Sequence, residues 1–177
     1  MSTEIERLLA YEEIRQLAAH YAVAVDSRNV DALVELFTPD VKVLGGGRGR
    51  DALRQVFAQY LRSDRVSILH VGTHMIDLVD DDHATGIVYS TCEMGDEHRW
   101  ARQAIAYEDR YERHDGRWYF ARRDHKLFYG VELDERPLAQ PDANWPASAI
   151  GRGSVPYDWP TWQRFSSEDK EGGASRA

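Results

Sequence analysis

The 177-residue sequence predicts an α+β domain in which three helices precede a long, curled antiparallel sheet. Apolar residues recur at three-to-four spacing as far as Leu61 and at two-residue spacing from Ser67 onward, so the period changes once from helix to strand. Turn signals then arrive at hairpin intervals, at Asp80-Asp81-Asp82, Gly95-Asp96-Glu97 and Asp115-Gly116. No Rossmann or P-loop glycine spacing appears, which argues against an alternating nucleotide-binding α/β fold.

The first helix is predicted over residues 4–26, where Ile5, Leu8, Leu9, Leu17, Ala18, Tyr21, Ala22 and Val25 mark one face and Ser2 or Thr3 can cap the start. Asp26 closes it. A second helix runs from Val30 to Phe37 and must stop before Thr38-Pro39, because proline restricts the residue ahead of it. A short strand over Val41–Leu44, a glycine-rich turn from Gly45 to Arg50 and a third helix opened by Asp51 follow. Strands are predicted over Ser67–Val79, His83–Met94, Arg99–His114 and Arg117–Tyr129, the last two joined by the hairpin dipeptide Asp115-Gly116.

This length suits a single domain able to enclose a pocket. Its expected bounds are residues 1–135. Residues 136–165 carry Pro137, Pro141, Pro146, Pro156, Pro160, Trp145, Trp159 and Trp162, and read as an extended tail packing on the domain or on a neighbouring subunit. Residues 166–177 read as disordered. The 22 Lys and Arg against 30 Asp and Glu give a net charge of −8, which supplies no broad cationic field for nucleic acid or anionic lipid. One cysteine, Cys92, permits no internal disulfide, and the acidic amino terminus is unlike a secretory signal, so the cytoplasm is the expected compartment. Five Trp, nine Tyr and five Phe suit a lined pocket or a subunit interface, although an ordinary aromatic core would use the same residues.

Four places could carry chemistry. Asp26 ends a helix face of apolar and aromatic residues, where a carboxylate is ordinarily a part-solvated helix-end group. Leu69-His70-Val71-Gly72-Thr73-His74 puts His70, Gly72 and His74 on one strand face, with the glycine opening space between the histidines. In Arg122-Arg123 strand alternation sends one guanidinium inward, where it needs a carboxylate in a structural ion pair or an anionic ligand to clamp. The Gly45–Arg50 loop lacks the GK[ST] ending of a phosphate cradle and reads as a plain turn. No metal is expected, because His70 and His74, four residues apart on a strand, would stand about 13 Å from each other.

Taken in order, Tyr21-Ala22-Val23-Ala24-Val25-Asp26, residues 33–40, Gly49-Arg50-Asp51-Ala52-Leu53, residues 69–74 and Tyr111–Trp118 resemble the SnoaL-like branch of the nuclear transport factor 2-like superfamily. The resemblance spans most of residues 4–130. It is nearest to the cofactor-free lyases of the scytalone dehydratase, bile-acid 7α-dehydratase and hexachlorocyclohexane dehydrochlorinase group. It implies a cone-shaped, curled sheet packed on three helices, a cystatin-like α+β barrel, with an Asp–His pair matching Asp26 and His70. Tyr21 matches a functional tyrosine of the bile-acid enzyme and Arg123 an arginine of the dehydrochlorinase, while His74 stands where that enzyme has asparagine.

Under this resemblance Asp26 orients His70, His70 removes a proton as general base, and Tyr21 and Arg123 stabilise developing charge. His74, Arg122, His125, Phe57 and Tyr60 are expected to bind a small hydrophobic substrate, aromatic or polycyclic in character. The implied reaction is β-elimination without a cofactor, in a homo-oligomer, dimer or trimer. An isomerase, a polyketide cyclase or a carbon–carbon lyase could use the same groups, and a non-catalytic ligand-binding module is the rival of another class.

Overall fold

A computed structural model describes residues 3–43 and 45–174, with side chains through residue 168. Helix α1 spans Glu4–Asp26 and opens on a capping box. Thr3 Oγ1 accepts from the Glu6 amide at 3.2 Å, and the Glu6 carboxylate accepts from the Thr3 amide at 2.6 Å, so two otherwise orphaned donors are satisfied. Helix α2 covers Val30–Glu35, capped by the Asn29 side chain, and α3 covers Gly49–Leu61. The predicted strand at 41–44 is not formed as such: Lys42 makes one isolated bridge to Arg48, and Leu44 lies outside the described residues.

Strands β1 (Val66–Leu78), β2 (His83–Gly95), β3 (Trp100–His114) and β4 (Arg117–Leu133) pair antiparallel in sequence order. Asp115 and Gly116 have φ of 50° and 78°, the left-handed pair that a two-residue hairpin with matching twist requires. Beyond this meander, Phe37 makes a parallel bridge to Phe120. The Thr38 amide donates to the Phe120 carbonyl at 3.0 Å and the Phe120 amide to the Leu36 carbonyl at 2.9 Å, which ties the α2 exit to β4.

The concave sheet face wraps the buried side of α1. Ile14, Leu17, Ala18, Tyr21 and Ala22 of α1 share one core with Val88, Ile105, Tyr107, Tyr111, Trp118 and Phe120. Each large apolar side chain removed from water there contributes about 1.5–3 kcal/mol. The sheet bends through register shifts between Val71 and His74, Ala104 and Ile105, and Arg110 and Tyr111. Such bulges are the usual means of curling a strand, and each also reassigns the faces of the residues beyond it.

The carboxyl-terminal region differs from its expectation. Helix α4, Pro160–Ala174, runs through the end of the predicted extended tail and through most of the segment predicted to be disordered. An apolar stripe explains it: Trp162 and Phe165 are buried, Phe165 within the main core, and the Trp162 ring meets Tyr157 edge-on at 4.9 Å. Trp162 Nε1 donates to the Arg65 carbonyl at 3.3 Å and Thr161 Oγ1 to the Ser27 carbonyl at 2.8 Å, so α4 docks beside the end of α1. Trp145, by contrast, stays 74% exposed.

Candidate active site

A cavity of about 940 Å³ lies between the concave sheet, α1, α3 and residues 38–48. Its inner wall is aromatic. Tyr21 meets Phe37, Phe57, Tyr107 and Phe120 edge to face, with centroids 5.7–6.4 Å apart. Phe57 and Tyr60 line it from α3, and Cys92, Met94 and Gln103 add to the wall from β2 and β3.

Into this apolar wall β4 delivers one fixed cation. Arg123 Nε and Nη2 donate to the two Asp109 carboxylate oxygens at 2.9 and 2.7 Å, and both side chains are almost wholly buried. The guanidinium carbon also lies 4.2 Å from the Tyr107 and Phe120 ring centroids and 4.4 Å from that of Tyr21. Tyr111 Oη donates to Asp109 at 2.8 Å and lies 3.0 Å from His74 Nε2, completing a chain from the cavity wall to a half-buried imidazole. Since the Tyr111 proton is committed to Asp109, His74 donates from Nε2. Burial holds the His74 pKa down to about 4, so the ring is neutral near pH 7. The inward arginine is thus held in a structural ion pair, and Arg123 also lines the cavity, its Nη1 forming no hydrogen bond among the described residues.

Asp26 lies at the other end. Its carboxylate accepts from the Leu69 amide at 3.0 and 3.2 Å and from Ser67 Oγ at 3.2 Å. Burial raises its pKa, opposed by the Leu69 and Ser67 hydrogen bonds and by the nearby Arg28 charge. Arg28 is itself buried and lines the cavity, donating to the Val25 carbonyl at 2.7 Å, Ser67 Oγ at 2.7 Å and the Asp64 carbonyl at 2.9 Å.

The histidines do not share a face. Ser67 and Leu69 point into the cavity, so His70 emerges on the outer, exposed face and makes no hydrogen bond to Asp26 among the described residues. The register shift after Val71, which leaves Gly72 and Thr73 unpaired across the strands, then turns His74 inward to Tyr111. The expected common face of His70, Gly72 and His74 is thus broken by a bulge invisible to simple alternation. His125, two residues beyond Arg123 on the same face, does line the cavity, its ring 5.7 Å from Tyr107 and its pKa lowered by burial. Arg122 emerges on the outer side of β4, paired to Asp124 at 2.7 Å.

Other groups set what the site can do. Burial pushes the Tyr21 hydroxyl up to about 12 against the Arg123 charge, so it stays a neutral donor near pH 7. It pushes the Cys92 thiol up to about 12 as well, which leaves little thiolate for nucleophilic attack. Sequence reasoning missed Asp109, Tyr107 and Arg28. The first two had a signal: Tyr107, Asp109 and Tyr111 alternate on one strand, and the Asp115-Gly116 turn places Asp109 within one residue of facing Arg123.

A family model described as a SnoaL-like domain matches residues 6–124. The chain belongs to the SnoaL-like family. Among solved structures, this SnoaL-like chain is similar to the hexachlorocyclohexane dehydrochlorinase LinA-type3 from Novosphingobium barchaimii LL02, with TM-score 0.68, 20% identity, and coverage of 75% of this chain and 95% of that one. A Novosphingobium aromaticivorans DSM 12444 protein named for scytalone dehydratase gives TM-score 0.65 and 20% identity, covering 76% and 94%. A Nostoc punctiforme PCC 73102 protein of unknown function with a cystatin-like fold gives TM-score 0.56 and 22% identity, covering 71% and 92%. At these identities the likenesses establish the cystatin-like α+β fold. No curated protein matches the chain. Helix α4 lies beyond the residues that the family model spans. Among the described residues, no helix is long and apolar enough to cross a membrane.

Proposed function

We propose that this SnoaL-like protein is a cofactor-independent lyase acting on a small, largely apolar substrate by proton abstraction and β-elimination. The observation that carries this reading is Arg123, a guanidinium held by Asp109 inside an aromatic cavity, with Nη1 left to a ligand. A cation pre-set in dry surroundings stabilises charge that develops on a leaving group or enolate, and needs little rearrangement when it forms. Tyr21 adds a neutral hydroxyl beside it.

The proton acceptor we favour is His125, the imidazole that lines the cavity with a lowered pKa. It takes the proton, the C–H electron pair becomes the new double bond, and the leaving group departs with its own pair toward Arg123. A halide leaves as the anion, and a hydroxyl leaves as water by taking up that proton. The Asp26–His70 pair implied by the family pattern is the second candidate, supported by the Asp26 carboxylate being anchored to the strand one residue ahead of His70. It requires the His70 ring to reach Asp26 from the outer face.

The test is a panel of hydrophobic alcohols and chlorides, with alkene and halide release quantified for wild type and for R123M/D109L. That double variant removes both buried charges together, because removing one alone would strand the other. Expected is turnover in wild type and a loss of about 10²-fold or more in the folded variant. Ligand binding with no turnover, or full activity in the variant, overturns the lyase assignment in favour of a binding module.

A further inference from the structure

The cavity does not end at the inner aromatic wall. Its lining extends to residues 40–48 and to the outer side of β3 and β4, where it includes Lys42, Arg48, Arg110 and Arg122 with Asp40, Glu112 and Asp124. Arg110 and Arg122 are direct cross-strand partners on the outer face. Two like charges directly opposite on a sheet repel, and Asp124 beside Arg122 offsets only part of that repulsion. Arg122 has Asp124 at 2.7 Å and Arg48 has Asp40 at 3.5 Å. Neither Arg110 nor Lys42 forms an ion pair among the described residues. A protein of net charge −8 thus gathers four cations, two of them without an ion pair among the described residues, along one side of this apolar cavity.

We propose that the ligand of this cavity carries a carboxylate, held at the opening by the Arg110–Arg122 pair with Lys42 beside it, while its apolar body fills the aromatic cone. This rests on the cavity being the substrate site and narrows the substrate class. The guanidinium forks match the two oxygens of a carboxylate. The small local surplus, four cations against three carboxylates, suits a monoanion better than a phosphate dianion.

The experiment is calorimetric titration of the full chain with 2-naphthoate and, separately, the neutral 2-naphthalenemethanol, at low and at raised ionic strength. Wild type is expected to bind the naphthoate about ten-fold more tightly, with the preference shrinking as salt screens the exposed cations. In R110Q/R122Q the ratio of the two affinities falls toward one, and K42Q reduces it by less. Both arginines are exposed on the outer face, and circular dichroism melting verifies folding of each variant. Equal affinities in wild type, no binding of either probe, or a preference that survives R110Q/R122Q overturns the proposal. The readout needs no turnover, so a carboxylate preference without elimination would sink the lyase reading and leave this one standing, and the converse result would do the reverse.

Discussion

Two carboxylates, Asp109 and Asp26, bond residues that line the same cavity and are held in opposite ways. Asp109 is sealed, accepting two hydrogen bonds from Arg123 and one from Tyr111. Asp26 is only part buried, accepts from a backbone amide and a serine, and is linked to Arg28 through Ser67 rather than by direct contact. A fully partnered carboxylate fixes geometry, whereas a loosely partnered one with a raised pKa exchanges a proton more readily. In this account Asp109 is therefore a positioning residue for Arg123, and Asp26 is the less firmly held of the two carboxylates.

The sharpest way to break this contrast is Asp109→Ala, which leaves the Arg123 charge buried without a partner. A loss of about 3–5 kcal/mol is expected in urea unfolding, enough to unfold many single domains. Tyr111→Phe should cost about 1–3 kcal/mol, since it leaves Asp109 and His74 each short of a hydrogen-bond partner. Asp26→Asn should cost less, about 0.5–1.5 kcal/mol, because the amide oxygen still accepts from Leu69. If Asp26→Asn proves the most damaging of the three to stability, the assignment of roles is reversed.

The smallest expected effect is on pH dependence. His74 titrates near 6.5 when unfolded and is held at about 4 when folded, so between those values the unfolded chain binds more protons. Stability therefore falls as pH drops from about 6.5 toward 4, by an amount that solvent reduces because the ring is only half buried. His74→Gln should flatten that part of the stability-against-pH curve, and an unchanged slope would show that His74 is not its source.

The elements were legible because they depend on local period and turn chemistry. The four strands, the Asp115-Gly116 hairpin and the long first helix lie close to where alternation and capping put them. The inward arginine was legible too, since alternation alone requires one of Arg122 and Arg123 to face the core. His70 and His74 were not, because face assignment inverts at a bulge, and its one local sign, Gly72 inside the strand, reads equally well as space opened between the histidines. Helix α4 was hidden by the proline-rich run before it, which obscured the Trp162 and Phe165 stripe.

The central claim, that proton abstraction occurs at His125 on the β4 face that also carries Arg123, is tested most directly by comparing His125→Gln with His70→Ala on whichever panel substrate wild type turns over. The account predicts that kcat falls about 10²–10⁴-fold in His125→Gln and stays within a few-fold of wild type in His70→Ala. The opposite pattern, with His70→Ala inactive and His125→Gln near wild type, would contradict it and place the base at the Asp26 end of the cavity.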